Sequence, residues 1–199
     1  MIVYPLFPIA VAKFELGREY TAEEIAFVDS QKTHKNQGNT TSNDHYVLRH
    51  DAMASLKAFV ELSMAEYLRG IYEPKHEVGL RITQSWLNYC KPGEWHHKHN
   101  HANSFISGVL YVKAARERDK IYFYKDHAPQ IKLATANYNP FSAESWWFEV
   151  NAGDLVLFPS HLTHSVETVQ QDRISLSFNS FPVGLAGEEN ELTALHLKD

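Results

Sequence analysis

The stretch Arg173-Ile174-Ser175-Leu176-Ser177-Phe178-Asn179 alternates polar and apolar residues without interruption. Because successive side chains of a β-strand point to opposite faces, its apolar residues share one face and its polar residues the other. Two interpretations of the polar face remain open. It faces water, as on many half-buried strands, or it faces a polar cavity inside a β-barrel.

Short apolar or alternating segments of this kind recur from about Val78 onward, with turn residues such as Pro92-Gly93 and Pro159-Ser160 between them. Several strands at regular spacing are typical of a sandwich or barrel. We therefore predict a mainly β fold with N-terminal helices, in which eight strands form a double-sheet jelly roll. The predicted strands are residues 79–89, 97–102, 105–113, 120–124, 146–150, 154–158, 164–168 and 173–179.

The N-terminal part has a different pattern. Residues 2–16 are apolar and contain two prolines, which predicts an extended edge segment. Residues 21–30 begin with Thr21 and Glu24, the spacing of a capping box, and predict a helix. Residues 34–45 are polar and are predicted to form a loop.

A longer helix is predicted over residues 52–69. Asp51 is its expected N-cap and Gly70 its expected end. The apolar residues of this segment recur at helical spacing, which indicates ordinary core packing.

The chain is predicted to be a single domain, residues 1–199. Its N-terminal segment and supporting helices span residues 1–77, the jelly-roll catalytic core 78–182 and a C-terminal extension 183–199. Residues 126–145 interrupt the strand rhythm and predict an inserted loop. Three aromatic residues in or beside it are candidates for the wall of a substrate cleft, although loop packing also explains them: Tyr138, Phe141 and Trp146.

The composition argues against several classes of partner and site. The chain has 199 residues, 44% hydrophobic and 22% charged, with a net charge of −5. The acidic balance argues against nucleic acid as a partner, and no apolar run is long enough for a membrane span. The only cysteine, Cys90, excludes an internal disulfide and a cysteine-ligated zinc site. We expect a reducing, cytoplasmic location and no signal peptide.

Six of the twelve histidines fall in two short stretches, residues 96–101 and 161–164, each beside a predicted strand. Neutral imidazole is the commonest metal ligand, and His99 and His101 lie two residues apart, on one face of a strand. His164 follows a buried-strand pattern far along the chain. Together they predict a three-ligand metal site with open positions. A solvated, histidine-rich turn is the competing interpretation.

These residues resemble the iron(II)- and 2-oxoglutarate-dependent dioxygenases, in particular prolyl-hydroxylase-like members with a double-stranded β-helix. The resemblance covers about residues 79–179. His99-Asn100-His101 lies where the family has its His-x-Asp/Glu pair, and His164 resembles the second metal histidine. Arg173-Ile174-Ser175 resembles the strand whose arginine pairs with the distal carboxylate of 2-oxoglutarate. Residues 88–93 and 107–112 resemble the first core strand and the strand with the cofactor-binding tyrosine.

The resemblance implies a hydroxylating oxygenase that uses Fe(II), 2-oxoglutarate and O2 and releases succinate. It implies that Arg173 binds 2-oxoglutarate, with Tyr111, Ser175 and Tyr89 assisting. The family's acidic metal ligand is replaced by His101, so iron is held less strongly or another metal is preferred. His97 is an alternative ligand because it shares the strand face of His99.

Two other functions remain open. A cupin-like metalloenzyme would use three histidines without 2-oxoglutarate. A non-catalytic jelly-roll module would bind a ligand such as a sugar. The substrate, a small molecule or a peptide, and the oligomeric state are not indicated by the sequence.

Overall fold

The computed structural model describes residues 1–126, 131 and 133–198. Two α-helices are α1 (Ala22–Asp29) and α2 (Ala54–Tyr67). Single 3-10 turns at Val47–Arg49 and Asp51–Met53 precede α2, and a π-helical turn at Leu68–Tyr72 follows it. The strands are β1 (Ala12–Glu15), β2 (Thr33–Lys35), β3 (Thr40–Ser42), β4 (Val78–Cys90), β5 (His96–His99), β6 (Ile106–Lys113), β7 (Lys120–Tyr124), β8 (Ser145–Glu149), β9 (Asp154–Pro159), β10 (His164–Val166), β11 (Arg173–Ala186) and β12 (Leu195–Leu197).

The strands form two facing sheets. The large sheet has the order β1-β9-β6-β11-β4-β3-β2, with β12 also paired to β11. The small sheet has the order β5-β10-β7-β8. Four strands of each sheet, β4 to β11 in chain order, make the predicted eight-strand jelly roll, and the mainly β fold with N-terminal helices is confirmed.

The helices cover the outer face of the large sheet. Buried residues of α2 such as Leu56, Val60 and Met64 pack in one cluster with Leu110 and Leu176 of the sheet. A second apolar cluster lies between the sheets and includes Val109, Ile121, Phe123 and Phe158. Phe123 and Phe158 of this inner cluster also contact the ring of His164.

Helix α1 begins as its capping box requires. The Glu24 backbone N–H donates to the Thr21 hydroxyl (3.1 Å), and the Thr21 N–H donates to the Glu24 carboxylate (2.8 Å). That carboxylate is also paired with Arg18 at 2.6 Å, which satisfies a buried charge.

Helix α2 differs from the prediction at both ends. Asp51 opens a 3-10 turn and makes no cap, and Met53 is the residue before α2. Gly70 does not end the helix, because the π-helical turn carries it to Tyr72 before Glu73 adopts the left-handed conformation.

Two short strands occupy a region predicted to be a loop. β2 and β3 pair with each other, and β3 pairs with β4 through Thr40 and Thr41. Of the inserted loop predicted at residues 126–145, residues 127–130 and 132 lie outside the described part of the chain.

Candidate metal and cofactor site

His99, His101 and His164 meet at one end of the barrel. His99 ends β5, His101 lies two residues further along, and His164 begins β10, directly opposite His99 in the antiparallel register. One ligand nitrogen from each of the three lies within 4.8 Å of the others. The backbone N–H of His101 donates to the Ser160 carbonyl (2.9 Å), so the two ligand-bearing loops are joined by their backbones.

Backbone carbonyls set the tautomers of two of these rings. Nδ1 of His99 lies 2.8 Å from the His97 oxygen, and Nδ1 of His164 lies 3.1 Å from the Leu162 oxygen. Because a carbonyl oxygen only accepts, each Nδ1 carries the hydrogen and each Nε2 keeps its lone pair. A fixed outer hydrogen bond of this kind is what orients metal-binding histidines.

The distance between two ligand nitrogens fits a shared ion. Nε2 of His101 and Nε2 of His164 are 3.4 Å apart. Two imidazoles that bind one ion at about 2.0–2.1 Å place their nitrogens roughly 2.8–3.4 Å apart, for right-angle to tetrahedral arrangements. The residues present therefore fit a metal ion.

Burial keeps the three rings neutral. It lowers the pKa of His164 well below its usual value, and it lowers the pKa of His101 to about 4. The pKa of His99 is also lowered, mainly by burial. Neutral imidazole is the form that ligates a metal, so the site is ready for one at neutral pH.

Arg173 lies inside the barrel on the opposite sheet. Its side chain is only 2% exposed, and its Nη1 donates to the Lys120 carbonyl of β7 at 3.0 Å. Ser175, Ser177 and Asn179 on the same face are buried as well. The polar face of β11 therefore lies in the interior of the barrel and not in bulk water.

Tyr111 lies beside Arg173 with an unused hydroxyl. The guanidinium carbon is 5.0 Å from the centre of the Tyr111 ring. The ring is fully buried, and its hydroxyl has no hydrogen-bond partner among the described residues. Burial raises the pKa of Tyr111 to about 12, against the opposing effect of Arg173, so the hydroxyl stays a donor. A buried donor without a partner marks a place for a ligand group or water.

Asn88 is buried on β4 beside the polar face of β11. It was not identified from the sequence. It lies opposite Ser175 in the β4–β11 register, and Ser175 is in turn opposite Tyr111 of β6. Its amide nitrogen donates to Ser177 (3.0 Å), while its amide oxygen is buried without a partner among the described residues. The alternation of β4 was a usable signal, because residues 86, 88 and 90 share a face.

Tyr89 does not join the site. It lies on the opposite face of β4 and packs against the helical cluster, where its hydroxyl donates to the Val28 carbonyl at 2.6 Å. The resemblance selected the right strand, but the pleat turns this side chain outward. Tyr89 therefore does not belong to the cofactor site.

An apolar groove lies near β10, although its lining includes none of His99, His101 and His164. Its volume is about 650 Å³, and it lies between the N-terminal segment and the β7–β8 edge of the small sheet. Leu162 and Phe123, which flank His164, contribute to its floor. Phe141 and Trp146 line its wall, whereas Tyr138 stacks on Trp146 at 5.1 Å.

Among the described residues, no helix is both long and apolar enough to cross a membrane. No protein among the curated ones matches the chain in sequence.

Comparison with families and solved structures identifies the fold. Residues 84–179 match the model of a family described as putative 2OG-Fe(II) oxygenase. A prolyl hydroxylase from Trichoplax adhaerens, solved with a peptide of hypoxia inducible factor, is similar over 86% of this chain and 83% of its own, with 12% identity and a TM-score of 0.61.

Two bacterial structures are similar as well. HygX from Streptomyces hygroscopicus, solved with nickel, 2-oxoglutarate and hygromycin B, has 12% identity and a TM-score of 0.60 over 96% of this chain and 92% of its own. A Pseudomonas putida prolyl-4-hydroxylase has 13% identity and a TM-score of 0.53 over 86% and 92%. By its double-stranded β-helix and the match over residues 84–179, the core of this chain is similar to the iron(II)- and 2-oxoglutarate-dependent oxygenases, which are oxidoreductases.

Proposed function

We propose that the protein hydroxylates a small-molecule or peptide substrate with Fe(II), 2-oxoglutarate and O2, and that His99, His101 and His164 hold the iron. One observation carries the proposal. Three neutral imidazoles converge within 4.8 Å in a barrel whose opposite sheet carries a buried arginine. When bound, iron would let the site activate O2, which is the oxidant, and 2-oxoglutarate would supply two electrons as it is converted to succinate and CO2.

The chain's own residues bind and orient the cofactor. Arg173 offers a planar fork of donors that matches a carboxylate in two hydrogen bonds. Its burial makes this pairing stronger than at the surface, because water does not screen it. The Tyr111 hydroxyl is free to donate a further hydrogen bond, and Ser175 lies between Tyr111 and Asn88. These residues suit the distal carboxylate of 2-oxoglutarate.

The third imidazole makes the metal site less negative than a site with a carboxylate. His101 supplies no charge, and the groups of described residues that are placed to hold a metal contain only histidines. Imidazole suits iron, nickel, copper and zinc, whereas carboxylate favours harder ions such as manganese. We therefore expect Fe(II) to bind, but with less selectivity over nickel and zinc than a two-histidine, one-carboxylate site has.

The proposed substrate site is the groove lined by Phe123, the residue opposite His164 in the β7–β10 pairing. Pockets of roughly 300–1,000 Å³ with mostly apolar walls are typical for small ligands, and this groove measures about 650 Å³. Phe141, Trp146 and Phe148 present aromatic surface to it. We infer that the substrate has an apolar or aromatic part. Membrane lipid and nucleic acid are not proposed as partners, and a cytoplasmic location stays a prediction.

The test is turnover of 2-oxoglutarate. Tag-free protein with Fe(II), ascorbate and O2 should convert 2-oxoglutarate to succinate, at least slowly in the absence of substrate. The H164A variant should lose this activity, and the exposed-residue variant H34A should keep it. No succinate from the wild-type protein, together with no binding of 2-oxoglutarate to the metal-loaded protein, would refute the proposal.

The three-histidine set favours one alternative, a cupin-like metalloenzyme without 2-oxoglutarate. The two functions predict different effects of replacing Arg173. Replacing this residue with alanine should abolish 2-oxoglutarate binding in the proposed oxygenase, whereas it should have little effect on a cupin-like enzyme.

A further inference from the structure

A second group of imidazoles adjoins the proposed iron site and shares one member with it. One ligand nitrogen from each of His96, His97 and His99 lies within 4.8 Å of the others. The three rings are close in every pair, with centroids 4.7 Å apart for His96–His99 and His97–His99 and 5.1 Å for His96–His97.

The pairing of β5 with β10 is irregular where these three histidines lie. His164 is opposite His99, but Val166 is opposite His96, so the register of β5 and β10 shifts between the two pairs. An extra residue in one strand disrupts the alternation of its side chains. In a regular strand, His96 would point away from His99; here their rings stack at an angle of 25°.

One nitrogen of this group lacks a partner. Nδ1 of His97 is buried and forms no hydrogen bond with any described residue. A buried polar atom without a partner is costly, and a bound cation would satisfy it. His96 also borders a cleft of about 450 Å³ together with Trp95 and Glu167, which gives an ion a path from solvent.

His99 can serve only one ion at a time. A neutral imidazole has one nitrogen with a free lone pair, because the other carries hydrogen. In His99 that hydrogen is held by the His97 carbonyl at 2.8 Å. An ion bound by His96, His97 and His99 therefore removes His99 from the group with His101 and His164.

We propose that His96, His97 and His99 form a second metal site, which takes zinc or another late divalent transition metal in competition with the iron site. An all-imidazole set without a carboxylate suits zinc, copper and nickel. Occupation of this site withdraws His99 and so inhibits the enzyme. The inhibitory consequence rests on the proposed function, but the metal site itself does not.

The test is zinc binding by calorimetry, with metal content measured by elemental analysis, on tag-free protein. The wild-type protein should bind one zinc ion tightly, since the two groups exclude each other. H164A should still bind one, because the second group is complete. Adding H96A and H97A to H164A should weaken zinc binding by at least about 10–100-fold, the loss that follows even from changes around a metal ligand. H34A, at an exposed histidine bonded to Asn43, is the control for adventitious binding.

Each outcome decides the proposal. Two tight zinc ions in the wild-type protein would overturn the exclusion. Zinc binding to H164A that does not change when His96 and His97 are replaced, or that falls equally in the H34A variant, would overturn the second site. Because these measurements need no turnover, they stand even if the wild-type protein converts no 2-oxoglutarate.

Discussion

Replacing Arg173 should separate cofactor binding from metal binding. The guanidinium is 2% exposed and uses Nη1 for the Lys120 carbonyl, which leaves its other donors for a ligand. Loss of one partner of a buried, hydrogen-bonded charge pair costs about 2–5 kcal/mol. R173A should therefore weaken 2-oxoglutarate binding by roughly 30- to 4,000-fold. R173K keeps the charge but loses the planar fork, so we expect a smaller loss.

The assay is calorimetric titration of 2-oxoglutarate into the manganese(II)-loaded protein. Manganese affinity without 2-oxoglutarate should change little in either variant, because Arg173 is not a metal ligand. R118A removes an exposed arginine whose side chain donates to Gln171, and it serves as the matched control. Thermal unfolding of R173K checks that the fold is intact. Unchanged 2-oxoglutarate affinity in R173A and R173K would refute the assignment of this residue.

Three further outcomes are expected. Y111F should lower 2-oxoglutarate affinity by about 1–2 kcal/mol without lowering the melting temperature, because the hydroxyl it removes has no hydrogen-bond partner among the described residues. A clear loss of stability would show that the hydroxyl is already bonded. H101D should tighten manganese binding relative to nickel, because it adds a charged oxygen ligand; an unchanged ratio in competition titrations would place His101 outside the metal site. The free energy of unfolding of the metal-free protein, measured with urea, should be lower at pH 5 than at pH 7. Equal values at the two pH values would contradict the burial of the histidines.

The sign of the acid effect follows from the lowered pKa values. Burial lowers the pKa of His96 to about 3 and of His101 to about 4, below the 6.5 of an unfolded histidine. Below about pH 6.5, these histidines therefore bind more protons in the unfolded chain than in the folded chain. Stability is fully present above pH 6.5 and decreases as the pH falls toward the folded values. Each such histidine contributes roughly 1–2 kcal/mol of this loss between pH 7 and pH 5.

The barrel strands were predictable because their signal is local. β7 has the predicted bounds, Lys120–Tyr124, and β9 differs by one residue at its end. β2 and β3 were missed because their polar residues have no alternating pattern. They are held by distant partners, such as the bond from the Thr41 hydroxyl to the Leu87 carbonyl. The pairing of strands far apart in sequence is not encoded in either segment alone.

The candidate site likewise has some residues that a local sequence pattern predicts and others that it does not. The pair Arg173–Ser175 could be found from spacing within one strand. His99 and His101 were found from the same spacing, although β5 ends at His99. Tyr89 was assigned to the wrong side of β4, since the resemblance identified a strand but not its pleat. His96 lies beside His99 where the β5–β10 pairing is irregular. The residues of β5 alone do not predict that irregularity.

The most direct test of the account is a crystal structure with manganese(II) and N-oxalylglycine, an inert mimic of 2-oxoglutarate. We expect one manganese ion bound by His99, His101 and His164, with the distal carboxylate of the mimic on Arg173 and the Tyr111 hydroxyl. Manganese bound elsewhere, or a mimic whose distal carboxylate lies away from Arg173, would contradict it.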